Sequence, residues 1–167
     1  MMHATYRVWN GEKMYYWNDN GLSLTIKNDG SWLLWEDRNK IHIVASSDDG
    51  KSVLMWGSGV ADAAGRLFYD GSLFKAPVDI NNHRHGSWVI YEVVYRNGTW
   101  VAQYVVSETG VVLPRGYVAR ELISYFDQES GDIVFEDVCL TADKTSAEIV
   151  GNIYEDYNRL VDGCREV

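Results

Sequence analysis

The chain has 167 residues, a net charge of −9 and two cysteines. That length suggests one domain, able to bury roughly 70% of its unfolded surface without a disulfide or metal staple. No apolar run approaches the ~20 residues of a membrane helix, and residues 121–167 carry 12 acidic against 3 basic side chains while residues 1–120 carry 12 of each, so nucleic acid is a poor direct partner.

Met1 to Lys13 contains no apolar core segment and does not read as a signal peptide. Cys139 and Cys164 stand far apart without ligand spacing, and both are expected to be reduced. Turn dipeptides punctuate the chain at Asn10-Gly11, Asn20-Gly21, Asp29-Gly30, Asp49-Gly50, Asp70-Gly71 and Asn97-Gly98. Asn-Gly and Asp-Gly favour the tight turn whose twist matches two paired strands. Short apolar runs between such turns indicate antiparallel hairpins rather than alternating strands and helices.

In chain order, Tyr6–Trp9 with Lys13–Trp17 and Leu22–Lys27 with Ser31–Glu36 read as two hairpins. Along the last of these strands Trp32 and Leu34 point to one face, Leu33 and Trp35 to the other. A strand apolar on both sides must be covered on both, inside the domain or at a subunit contact. Ile41–Ala45 and Ser52–Trp56 read as a third pair. Asp62–Gly65 reads as a polar, small-residue connection, Arg66–Tyr69 is short and semi-apolar, and Leu73 opens an apolar strand that Pro77 ends or places on an edge.

Asp79–Gly86 is a loop holding His83 and His85. Two residues apart, these share a face of an extended chain, but no third ligand stands at a familiar spacing, so no metal is expected. Trp88–Val106 is a hairpin closed by Asn97-Gly98, with Tyr95 facing Trp100, Val93 facing Ala102 and Tyr91 facing Tyr104. One face is then aromatic and the other aliphatic, with Glu92 opposite Gln103. The aromatic face is a second core face or a binding platform. Val111–Leu113 reads as a short strand. Tyr117–Phe126 has helical spacing at positions 118, 122, 125 and 126. Asp132–Phe135, Val138–Leu140 and Ser146–Tyr154 read as strands, and Glu155–Val161 as a final helical turn ended by Gly163.

Three blocks carry a resemblance to a known family. Tyr6–Tyr16 reads YRVWNGEKMYY, Gly59–Gly71 follows Gly-Val-x-Asp-x-x-Gly-Arg-x-x-Tyr-Asp-Gly, and Ile149–Glu155 reads IVGNIYE. Together they resemble the YopX family of phage and prophage proteins, over nearly the whole chain. The central block departs from the family pattern at Ser72, where an Asp is usual, and at Ala63-Ala64, where a polar pair is usual. The resemblance implies a mobile-element origin and a small barrel-like (SH3-like) β core. It implies no activity.

The expected architecture is therefore mainly β: antiparallel hairpins around a small barrel-like core, with one or two short helices near the C-terminus. It forms a single domain over 1–167, with N-terminal hairpins over 1–55 and the barrel-like core over 56–160. The chain has no Gly-x-Ser-x-Gly elbow, phosphate loop or His-Glu-x-x-His, and no carboxylate pair placed for acid and base roles. No catalytic, cofactor-binding or metal residues are assigned, and no cofactor is expected. The reading is a cytoplasmic accessory protein in a bacterial host that acts by binding, as a homo-oligomer or with a host protein. Trp32, Trp35, Tyr91, Tyr95, Trp100 and Tyr104 are the candidate interface. The alternative is an acidic DNA mimic or other inhibitor of a host nucleic-acid enzyme, drawn from the charge in 121–167.

Overall fold

The computed structural model describes residues 4–37, 41–62, 64–77, 88–96, 98–107, 119–121, 123–126, 133–136 and 148–165. The chain divides into two compact units, Met1–Gly57 and Ser58–Val167. The expected class is observed: antiparallel sheets with a curled half-barrel and one short C-terminal helix.

In the first unit, β1 (Tyr6–Trp9) pairs on one side with β2 (Met14–Tyr16) and on the other with the start of β6 (Val53–Ala61). A second sheet runs in the order β3 (Leu22–Ile26), β4 (Trp32–Asp37), β5 (Ile41–Ser46). The two expected hairpins are both present, with Val8 opposite Tyr15 and Leu24 opposite Leu34. The expected third pair is not. β5 folds back on β4, with Asp37 opposite Ile41, while β6 crosses to β1 and sets Leu54 opposite Val8. Apolar coverage decides this. Sending β6 to the other sheet gives two apolar faces that close on each other, whereas a single meander would leave one face in water. The core between them contains Val8, Tyr15, Trp32, Leu34 and Ala45.

In the second unit, β6 continues beside β7 (Leu67–Tyr69). A five-stranded sheet runs in the order β11 (Ala119–Glu121), β10 (Thr99–Ser107), β9 (Trp88–Arg96), β8 (Ser72–Pro77), β14 (Glu148–Asn152). The β9–β10 register is the expected one up to Tyr104, after which a bulge shifts it. That shift lets the consecutive Val105 and Val106 enter one core cluster, which strict alternation would forbid. Both faces of the β8–β9–β10 part of the sheet carry buried residues. One packs Phe74, Val93 and Ala102 with Phe68 of β7; the other packs Leu73 and Ile90 with Val161 of α1 (Tyr157–Arg165).

Two further expectations are corrected. The helix read over Tyr117–Phe126 is absent from its described part, which instead forms β11 and β12 (Ile123–Phe126), the latter paired with β13 (Ile133–Glu136). Short apolar runs are ambiguous between periods, and here available strand partners decide. The final helix also runs through Gly163 rather than stopping there. A helical glycine costs about 1 kcal/mol, which burial of Val161 outweighs. The histidine loop at 79–86, the strands at Val111–Leu113 and Val138–Leu140, and Cys139 lie outside the described residues.

Candidate functional site

The central and C-terminal sequence blocks meet in space, and Asp62 is the group that joins them. Its side chain is fully buried. Oδ1 accepts the main-chain N–H groups of Ala64 (3.0 Å) and Arg66 (2.8 Å). Oδ2 accepts Arg66 Nε (2.8 Å), Arg66 Nη2 (2.7 Å) and the N–H of Ile149 (3.1 Å), 87 residues away. The Asp62 N–H returns to Arg66 O (2.8 Å), closing the turn. Burial pushes the carboxyl pKa upward, but the hydrogen bonds from the Arg66 and Ile149 main chain, and then the Arg66 guanidinium, outweigh it and hold it below the usual range. With five donors on two oxygens, Asp62 has little capacity left for a metal or a substrate proton.

The Asp70-Gly71 dipeptide makes a corner where the chain leaves β7 for β8 in a different sheet. Gly71 has φ 74° and donates to Val93 O (2.7 Å), while its own carbonyl accepts Ile153 N–H (3.0 Å). Asp70 Oδ1 accepts Tyr95 N–H (3.0 Å). Ser72, which stands where the family usually has Asp, is fully buried and accepts Tyr69 N–H on its hydroxyl (3.0 Å). A hydroxyl thus serves the turn without burying a charge. Ala64 contributes its main chain to the Asp62 turn, so that turn does not draw on the polar side chain usual there.

In the last block, Asn152 Oδ1 accepts the N–H groups of Tyr154 (3.0 Å) and Glu155 (3.1 Å), and Nδ2 donates to Glu155 Oε2 (2.6 Å). Asp156 Oδ2 accepts Asn152 N–H (3.0 Å). A Cβ on Gly151 would run into that Asp156 carboxylate, which explains the glycine. These four positions convert strand β14 into helix α1. Sequence reading treated Asp62 as part of a polar connection and missed this role. The available signals were Asp-x-x-Gly-Arg, and Asn followed three residues on by Glu, a capping pattern.

The N-terminal block is the β1–β2 hairpin of the first unit. Asn10 Oδ1 accepts Glu12 and Lys13 N–H (3.0 and 2.8 Å), and its Nδ2 donates to Val44 O (3.3 Å).

The six candidate interface residues fall on both units. Trp32 is 8% exposed and sits in the first unit's core. Trp35 points to the opposite face of β4, across from Ile43 and Ser23, and is half-buried. On that face Ile41 is 69% and Ile43 49% exposed. Tyr91 and Trp100 pack against the second unit's core. Tyr104 meets Tyr91 edge-on at 6.4 Å. Tyr95 is 53% exposed, with its ring 5.0 Å from that of Trp100. Among the described residues no three His, Cys, Asp or Glu side chains gather to hold a metal, and no helix is long and apolar enough to cross a membrane.

The sequence pattern of the YopX protein family matches residues 5–161. The SPbeta prophage-derived uncharacterized protein YopX of Bacillus subtilis (strain 168) is 42% identical over 79 residues, 47% of this chain and 57% of that protein. The chain's match thus spans just over half the length of that relative. The crystal structure of protein yopX from Bacillus subtilis superposes with TM-score 0.57 at 26% identity, covering 92% of this chain and 95% of that one. Protein EF1440 from Enterococcus faecalis shares the fold at TM-score 0.50 and 14% identity, covering 96% and 99%. With the family pattern spanning every described strand and its central and C-terminal blocks joined at Asp62, the chain belongs to the YopX family.

Proposed function

We propose that this chain is a prophage accessory protein that works in the cytoplasm of its bacterial host by binding rather than by catalysis, and that it self-associates. One observation carries the reading. The outward face of β3–β4–β5 places Leu33, Trp35, Ile41 and Ile43 together, with the two isoleucines largely in water. Isolated exposed apolar residues are ordinary, but a contiguous apolar sheet face marks an interaction surface. Trp35 supplies the kind of aromatic anchor that dominates such contacts. Closed cyclic symmetry is the default for a homo-oligomer.

Sedimentation equilibrium at micromolar concentration tests this. The expected result is a mass at least twice the 19.0 kDa of one chain, reduced to a single chain by Trp35→Glu with the strand spectrum retained. A clean monomer across the range overturns the reading. The acidic surplus of residues 121–167 supports a second reading, an anionic mimic of nucleic acid that occupies a basic host protein. Capture of such a protein at low salt and its release at about 500 mM salt would favour mimicry.

A further inference from the structure

We propose that two copies meet at the open edge of β5, which pairs antiparallel with β5 of the second copy about a two-fold axis at His42. This rests on the self-association reading above and names its surface.

The direction of the main chain follows from the ladder. Asp37 N–H donates to Gly21 O (2.8 Å), so Asp37 faces the β3 side of β4. Main-chain groups alternate along a strand, so Glu36 faces β5, and its register partner His42 faces back. Ile41 and Ile43 therefore direct their N–H and C=O groups away from β4, at the outer edge of the three-stranded sheet. One residue further on, a register shift falls at Val44, and Asn10 Nδ2 takes the Val44 carbonyl (3.3 Å). Among the described residues, the open window is thus Ile41 to Ile43.

That window is self-complementary. A two-fold axis at His42 sets Ile41 opposite Ile43 of the second copy and the reverse. Each such pair exchanges two N–H···O=C bonds, four in all. The same axis places both copies' Ile41, Ile43 and Trp35 on one face, doubling the apolar strip. β5 reads Ile-His-Ile-Val-Ala-Ser, without the Lys or Pro that commonly blunts an edge. The β14 edge differs, because Asp62 covers its outward Ile149 N–H. Charge does not oppose the contact. Residues 1–57 carry seven acidic and six basic side chains, and the acidic surplus lies elsewhere in the chain. On the other face of the strand the two His42 side chains would meet, each with Glu36 Oε2 3.7 Å from its Nε2.

The test is size-exclusion with light scattering at 10 to 100 µM on the wild type, Ile43→Pro, Ile41→Lys and Tyr95→Lys. Ile43→Pro removes an N–H that makes no bond to β4, so it should weaken association at least tenfold with the circular dichroism spectrum kept. Ile41→Lys should do the same through its side chain, and Tyr95→Lys should change nothing. Amide exchange at Ile41 and Ile43 should slow as wild-type concentration rises, and this decides the matter if the edge variants fail to fold. An oligomer that survives both edge variants, or that shows no such protection, overturns the edge pairing while leaving self-association standing. A monomeric wild type overturns both.

Discussion

Removing the Asp62 carboxylate should destabilise the second unit mainly by orphaning main-chain donors, not by breaking an ion pair. In Asp62→Ala, the N–H of Ile149 on β14 and the N–H of Arg66 in the turn lose their acceptor. Each such part-buried donor costs about 1–3 kcal/mol. The Arg66 side chain is 47% exposed, so water replaces the carboxylate and the ion pair adds at most about 1 kcal/mol. The expected loss is therefore about 2–7 kcal/mol for Asp62→Ala and under about 1 kcal/mol for Arg66→Met. At this chain length 3 kcal/mol lowers the melting temperature by roughly 6–12 °C. Urea denaturation at pH 7 measures both variants, and amide exchange at Ile149 should accelerate by about tenfold per 1.4 kcal/mol of local loss. The pH dependence has a definite sign. The folded carboxyl has a pKa below its unfolded value, near 4. Its contribution is full above about pH 4 and is lost as pH falls through the folded pKa. The gap between wild type and Asp62→Ala should accordingly narrow in acid. Equal losses in Asp62→Ala and Arg66→Met would show that the ion pair, not the edge-strand cap, holds the blocks together.

Two further outcomes are expected. Asp49, in the turn between β5 and β6, has a carboxyl pKa lowered to about 2: its desolvation acts upward, but hydrogen bonds from the Ser52 hydroxyl and the N–H groups of Lys51, Ser52 and Ser46 prevail. A carbon-13 carboxyl titration should place it near there, with any stability it confers fading between about pH 4 and pH 2; a midpoint above 3.5 would refute the turn geometry. Gly71→Ala should cost more than Gly30→Ala in thermal melts. Both have positive φ, which costs about 1–2 kcal/mol for an L-residue, but only at Gly71 would the new Cβ also meet a neighbour, Ile153 Cγ1 at 3.1 Å, whereas Gly30 opens on empty space. Equal losses would mean that Ile153 yields freely.

How far the residues spoke for themselves varies along the chain. The β9–β10 register was readable residue by residue, because a two-residue turn fixes which side chains oppose and alternation does the rest. The β1–β2 and β3–β4 hairpins were readable as hairpins from their Asn-Gly and Asp-Gly dipeptides, but their longer connections left the register open. The family blocks were visible as patterns, but their purpose was not. Asp62 looked like a loop residue because its distant partner, the Ile149 N–H, is a main-chain group that any residue type carries. Ser72 looked like a departure until its hydroxyl was seen accepting the N–H that starts the corner.

What the sequence determined by itself is therefore local: strand period, turn chemistry and hairpin register, all set by interactions within about ten residues. Tertiary structure decided the choices between equally good local partners. It sent β6 to β1 and β5 to β4. It drew Ile123–Phe126 into a strand against Ile133–Glu136 although the spacing suits a helix. It turned Asp70-Gly71 from a hairpin turn into a corner between sheets. The physical reason is common to all three. Main-chain hydrogen bonds are nearly indifferent to which strand supplies them, so the arrangement that buries most apolar surface prevails, and that area is a property of the whole fold rather than of any one segment.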